Sequence, residues 1–554
     1  MKGMNSTMIN RNYILTLSAR SICVLFILAL ILYPVLLHYR SSQLAPSPIP
    51  TLRILLIPLD SRPPCRDFPG QLTSIANFQT ITPPAGYLDN YRQQADTAAL
   101  KDWLLSVGPS ADAVVISIDS LIHGSLLASR IPTGTRDDAE RTLQLIEQFH
   151  QQNPLIPIYV FNIIPRLYIA DTPENQPYIH AMAELSILTD KLAQTANDTD
   201  SQRLAQLRSS IPVSIQQKYE DMYATNTWLG QRLLELAAQG TLRHVVLGQD
   251  DAHPYGMANM VKRTLQNWLA LHPQVKNVTI TRGTDEVAAT LAAKFVTDYA
   301  GLTPRIFVCY SWPGAPAVLM PYMPISVDQT VQEKIVLVNG QRVSTPDEAD
   351  FILFVHIGTQ DTPPMVLEKA VLEIKKYQQQ GYPVSIVDLT SAYDPTKNLF
   401  PYLEKSRINF VGLISYAGWN TSSNSIGTAV AHATIYTYAK QNNVLIEEDH
   451  YAFLFQRILD DWYFQKQVQP RLNKFLSMIG ISATNLGTNY ASVNKAAQKQ
   501  LSPLANSLYA RHFAGKTGAY RLITSYDVFS QLPWSRTFEV QVNSSFKTVG
   551  SNRD

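Results

Sequence analysis

The sequence predicts an α/β fold of two doubly wound, mainly parallel lobes, with a single elaborated β/α barrel as the alternative. Three observations carry that reading. From Arg53 onward, short apolar runs alternate with amphipathic stretches, the pattern of strands joined by helical crossovers. Most runs end in a cluster of polar residues, as strands do where an α/β sheet meets its ligand. The candidate strands also outnumber the eight of a simple barrel.

The first fifty residues stand apart. Ser21–Tyr39 is almost wholly apolar and long enough to cross a bilayer as one helix. Lys2, Arg11 and Arg20 precede it with no acidic residue, an arrangement that keeps residues 1–20 cytoplasmic. No small-x-small cleavage site follows Tyr39, so an uncleaved anchor at 21–39 is expected rather than a signal peptide. Residues 40–51 read as a short proline-rich spacer, which leaves the bulk of the chain extracytoplasmic.

Composition narrows the partners. The 554 residues carry a net charge of +2 with 16% charged residues, so no basic field points to nucleic acid. The membrane, through the N-terminal helix, and a glycan or small polar ligand are the expected partners. Cys65 and Cys309 are either one disulfide or two unpaired buried thiols, and Cys23 lies within the apolar stretch. No Cys-x-x-Cys metal motif is present.

The candidate strands, in order, are Arg53–Leu59, Ala113–Ile118, Ile158–Ile163, His244–Gly248, Val278–Thr281, Arg305–Tyr310, Phe351–His356, Val384–Val387 and Phe410–Ser415. Helical segments such as Asp137–Gln151, Thr227–Gln239 and Glu286–Tyr299 lie between them. Val336–Val343, with its Asn339-Gly340 pair, reads as an inserted hairpin. These assignments give a first lobe at 52–300, with a helical insertion near 183–223 that would shape or cover a cleft, and a second lobe at 301–446. Residues 447–554 read as a helical C-terminal subdomain interrupted at Pro470 and ending in a strand at Thr537–Val542.

The strand ends hold the chemistry. After the first strand stand Asp60 and Arg62, which bind a polar substrate together or pair with each other. Asp119 and His123 follow the second and share a face if the turn is helical. Arg166, after the third, is a lone cation. The fourth runs into Asp250, Asp251, His253 and Tyr255, carboxylates that serve as acid, base, nucleophile or ligand to a hard cation. Neighbouring residues on an extended chain point oppositely, so one of Asp250 and Asp251 is expected to face the cleft. Thr284 and Asp285 read first as a helix cap. After Phe410–Ser415, the turn gathers Trp419, Asn420, Thr421 and Asn424, more polar groups than a cap requires.

Four of these elements occur together in a known family. Asp60-x-Arg62-Pro63, Asp250-Asp251-x-x-x-Tyr255-Gly256, Gly283-Thr-Asp285-Glu286 and Gly418-Trp419-Asn420-Thr421-x-x-Asn424-x-x-Gly427 resemble the bacterial family filed as domain of unknown function 4127. The resemblance runs from about residue 52 into the C-terminal helices. It implies a bacterial protein and supports the motifs as a set, and it transfers no activity. The family's first motif carries two consecutive Asp residues where this chain has Asp60-Ser61, which puts in doubt any role needing both.

No Gly-x-Ser-x-Gly elbow, phosphate-cradling loop, His-Glu-x-x-His helix or dinucleotide fingerprint is present, so those chemistries recede. The leading expectation is a hydrolase of a glycan or other polyhydroxylated substrate. Asp250 or Asp251 would be acid/base and Asp60 or Asp119 the partner carboxylate. Arg62, His123, His253, Tyr255, Trp419, Asn420, Thr421 and Asn424 would bind substrate. The alternatives are a non-enzymatic binder of a small polar ligand and a metal-dependent hydrolase using Asp60, Asp119, Asp250, His253 and His356. No cofactor is required by the first two, whereas the third would take a divalent metal. All readings expect Asp60, Asp119, Asp250 and Asn420 to converge on one pocket with Arg62 and Trp419.

Overall fold

A computed structural model describes residues 51–131, 134–391 and 394–550; the expected anchor and spacer lie outside them. Six strands form the first sheet: β1 (Arg53–Ile57), β2 (Gln79–Ile81), β3 (Ala113–Ser117), β4 (Ile158–Ile164), β5 (His244–Gln249) and β6 (Val278–Arg282). Their spatial order is β2-β1-β3-β4-β5-β6, with every pairing parallel. The second sheet holds β7 (Arg305–Tyr310), β8 (Gln341–Val343), β9 (Phe351–Gly358), β10 (Val384–Thr390) and β11 (Leu413–Ala417). Its order is β11-β10-β9-β7-β8, again all parallel.

The two sheets repeat one plan. In each, the first strand lies between the second and the third, so the winding reverses at β1/β3 and at β7/β9. Both sheets have two ends and neither closes on itself, which corrects the barrel alternative. Central strands are apolar on both faces; β4 and β9 are buried at every position, as parallel strands covered by helices must be.

The sheets share a core. One hydrophobic cluster takes Ile54 and Leu56 from β1 together with Leu353 and Val355 from β9. Between them lie helices Val287–Ala300 and Ser422–Gln441, which pack against each other and are buried on almost every side. Their alanines (Ala288, Ala289, Ala292, Ala293; Ala429, Ala431, Ala433) allow close approach of helix axes. Gly427 completes that contact, because a Cβ there would lie 2.4 Å from Glu286 Cγ. The chain from Leu52 is accordingly one compact unit, although the sheet boundary does fall near residue 300.

Three expected details change. Asn339-Gly340 is not a hairpin turn: helix Val327–Leu337 stops there, and β8 pairs parallel with β7. Asn339 takes the left-handed conformation (φ 59°), and its side chain bonds Asp298, Thr297 and Lys294. Those contacts make it a helix stop rather than a reversal between strands. The break at Pro470 is instead a change of helix type, with π-helical Leu459–Val468 giving way to α-helix at Gln469. Pro470 thus stands where the helix changes type, and the chain runs through it without a break. The final strand β13 (Gln541–Gly550) starts later than expected and pairs antiparallel with β12 (Arg521–Gln531).

The insertion between β4 and β5 comprises helices Ile179–Gln194, Asp198–Ser210 and Val213–Ala238. It braces the end of β4. Tyr219 Oη donates to the Leu167 carbonyl at 2.6 Å and Tyr223 Oη to the Arg166 carbonyl at 2.7 Å.

Candidate functional site

The ends of β1, β4, β5, β6 and β11 meet around a cavity of about 380 Å³. Its walls carry four arginines (Arg62, Arg130, Arg166 and Arg536) and three carboxylates (Asp250, Asp251 and Asp285). Thr284, Asn420, Thr421 and Asn424 add hydroxyls and amides, and Tyr322 and Phe538 supply ring surface. Parallel strands put their carboxyl ends on one rim, which is how residues from 62 to 538 arrive together.

Arg62 anchors one wall. Its Nε and Nη2 donate to the two oxygens of Asp60 at 3.0 and 2.6 Å, and Nη2 and Nη1 to those of Asp285 at 2.7 and 3.2 Å. The Asp60 side chain is wholly buried, so it holds the guanidinium from behind. Trp534 lies 5.3 Å below the same cation and donates its indole N–H to Ser61 Oγ. Ser61 thus serves as a hydroxyl acceptor between Asp60 and Arg62. Arg536 sits 4.7 Å from the same indole and pairs with Glu539.

The opposite wall pairs Arg130 with Asp250 (2.7 Å) and Arg166 with Asp251 (2.6 Å). Both neighbouring carboxylates line the cavity, contrary to the alternation expected of an extended chain. β5 ends at Gln249, and the Asp251 N–H turns back to Asp250 Oδ1 at 2.8 Å. The two acids differ in proton affinity. Burial works against the Asp250 anion, yet Arg130 and Arg166 hold its carboxyl below the usual range. Burial and then the Asp250 charge push Asp251 up to about 6. Burial also raises Asp285, with the Asp60 charge adding to it and Arg62 opposing it.

Two cavity residues are held in the left-handed region, Tyr322 at φ 63° and Asn420 at φ 49°. Such a conformation is uncommon for a bulky side chain such as Tyr322, whereas Asn adopts it readily. Asn424, one helical turn further on, has its Oδ1 buried without a hydrogen-bond partner.

The expected convergence is thus reached by Arg62, Asp250, Asp251, Asn420, Thr421 and Asn424, and the other candidates lie elsewhere. Trp419 is turned into the core, edge-on to Phe68 at 6.0 Å, because Ser425 Oγ binds its carbonyl and fixes the turn. Asp119 takes hydrogen bonds from the Ile163 N–H and Asn162, and burial pushes it up to about 7. It lines a separate cavity of about 80 Å³ with His123, whose pKa burial lowers to about 4. His253 and Tyr255 face outward, with the Tyr255 N–H bonded to His253 Nδ1. His356 is buried between Ser311 and the Lys397 carbonyl. Among the described residues no group of three or more His, Cys, Asp or Glu is placed to hold a metal ion. Cys65 and Cys309 are unpaired thiols.

A model of the family described as Protein of unknown function (DUF4127) matches residues 54–543. The chain belongs to the DUF4127 family. The matched span covers both parallel sheets from the second residue of β1 and every residue lining the cavity. The four DUF4127-like motifs accordingly have a common destination: each sends at least one side chain into this cavity. Comparison with curated proteins gives no match.

Some cavity residues were not legible as such. Asp285 had the local signature of a helix cap, yet helix Val287–Ala300 begins without a side-chain cap and Asp285 bonds Arg62 instead. Arg166 had only its strand-end position. Arg130, Tyr322, Arg536 and Phe538 lie in connections with no motif around them.

Proposed function

We propose that the cavity is the active site of a hydrolase acting on a glycan or another polyhydroxylated substrate. One observation carries the reading: Asp250 and Asp251 line the same polar cavity with proton affinities driven apart. Acid–base hydrolysis needs such a pair, one protonated and one ionised. Protonated Asp251 gives its proton to the departing oxygen as the C–O bond breaks. Ionised Asp250 stabilises the positive charge that develops on carbon. A water molecule then adds to that carbon and returns its proton to Asp251. Asn420, Thr421, Asn424 and Thr284 hydrogen-bond substrate hydroxyls, while Asp60 orients Arg62.

The test is turnover by the full chain on a panel of aryl glycosides and oligosaccharides. Asp251→Asn keeps the shape and removes the proton, so the rate should fall by about a hundredfold or more while ligand binding persists. Full turnover in both Asp251→Asn and Asp250→Asn would sink the assignment.

A binding protein is the second reading, favoured by the pairing of each cavity carboxylate with an arginine. Affinity that depends on Asn420 and Asn424, with no turnover by the wild type, would decide for it. The proposal also tethers this unit outside the cytoplasm through Ser21–Tyr39, supported by the apolar run and the preceding Lys2, Arg11 and Arg20. A reporter fused after residue 50 that works only in the cytoplasm would reject that topology.

A further inference from the structure

Beside the main cavity lies a smaller one of about 90 Å³, and the residues common to both linings are Arg130 and Arg166. Each guanidinium gives one Nη2 to a carboxylate, Asp250 or Asp251. Each also keeps a buried Nε with no hydrogen-bond partner. An unmet donor on a buried cation is costly, because a neutral neighbour cannot repay its desolvation. Burial lowers the pKa of Arg130, and the like charge of Arg166 lowers it further against the pull of Asp250. Arg166, by contrast, is raised by Asp250 and Asp251 against its burial, and the two cations share a wall that is open on both sides. The smaller cavity sets Tyr168, Ile169, Ile215 and Met222 around Arg130 and Arg166, apolar surface suited to a ring face, with Glu174 and Lys218, which pair with each other, also in its lining.

We infer that Arg130 and Arg166 form an oxyanion-binding wall, so that the ligand of this cavity is an acidic one, a polyhydroxylated unit bearing a carboxylate or a phosphate. The inference rests on the reading of the cavity as the ligand site and adds the charge of what it takes. Arginine suits this role, since its planar fork meets the two oxygens of a carboxylate or phosphate. The anion would meet the Nη1 groups, which no hydrogen bond in the described residues engages. Asp250 and Asp251 would keep their own arginine bonds on the other edge.

Thermal-shift and calorimetric titrations of the full chain in detergent test this with glucose, glucuronate and glucose 6-phosphate. At least one acidic probe should bind ten times or more tightly than glucose, and the stronger of the two identifies the anion. Arg166→Gln and Arg130→Gln should each erase that preference, and Arg166→Lys, which keeps the charge without the fork, should keep only part of it. Circular dichroism checks that each variant is folded, and the two arginines give independent readings. Glucose binding as tightly as both acidic probes, no binding of either acidic probe, or a preference that survives both Gln variants would overturn the inference. Asp251→Asn separates this outcome from the catalytic one. It should lose turnover yet keep the acidic preference, so absent hydrolysis alone leaves the anion wall standing.

Discussion

The guanidinium of Arg62 donates to both carboxylate oxygens of Asp285, 223 residues further along the chain, while Asp60 holds its other edge. This triad ties the end of β1 to the end of β6, across the width of the first sheet. It sets one wall of the cavity with little freedom left in any of the three side chains.

Removing the cation should therefore be expensive. Arg62→Met leaves Asp60 and Asp285 buried with no counter-charge, and breaking a buried pair in this way costs about 3–5 kcal/mol. Urea denaturation at pH 7 should show a loss of that order. The deficit should shrink as the pH falls and Asp285, already raised by its burial, takes up a proton.

Activity should have a basic limb set by Asp251. Its pKa is pushed up to about 6 by burial and by Asp250, and the proposed acid works only when protonated. Thus kcat/KM should decline as the pH rises through about 6, and Asp251→Asn should abolish that limb along with most of the rate. A profile flat to pH 9 would reassign the acid.

Gly427→Ala tests the contact between the central helices. The new Cβ would sit 2.4 Å from Glu286 Cγ, where Glu286 is locked to Lys334 at 2.6 Å with both side chains fully buried. Overpacking of this kind costs about 1–3 kcal/mol. A thermal melt should register the loss, and an unchanged melting temperature would show that the helices can separate freely.

Asp89 should make the fold less stable in alkali. Burial, then the charge of Asp60, raises its pKa to about 8, above an unfolded value near about 4. Between those pH values the folded chain holds a proton that the unfolded chain has lost. Stability from this group is complete below the unfolded value and falls as the pH climbs to about 8. Asp89→Asn keeps an oxygen acceptor for the Ser61 N–H and cannot ionise. Its melting temperature should fall less than that of the wild type between pH 5 and pH 8.

Much of the architecture was legible without coordinates. Buried parallel strands are largely apolar on both faces, so β4, β5, β9 and β10 announce themselves as mainly apolar runs. Their crossover helices do so by period. The polar clusters at the strand ends also marked where a cavity would form. The Asn339-Gly340 pair misled because the left-handed conformation it favours serves a helix stop as readily as a hairpin turn.

Local pattern identified the central strands of both sheets, though not β2 or β8, together with their parallel pairing and the rim on which Asp250, Asn420 and Arg62 would meet. Tertiary structure alone decided which polar side chains turn inward. Trp419 and Asn420 are adjacent, yet one packs on Phe68 and the other lines the cavity. Asp285 carries the signature of a cap, yet its partner is Arg62. The physical reason is that a carboxylate is satisfied equally by a nearby backbone N–H or by a distant guanidinium. Sequence spacing records only the first kind of partner, whereas the second exists once β1 and β6 lie in one sheet.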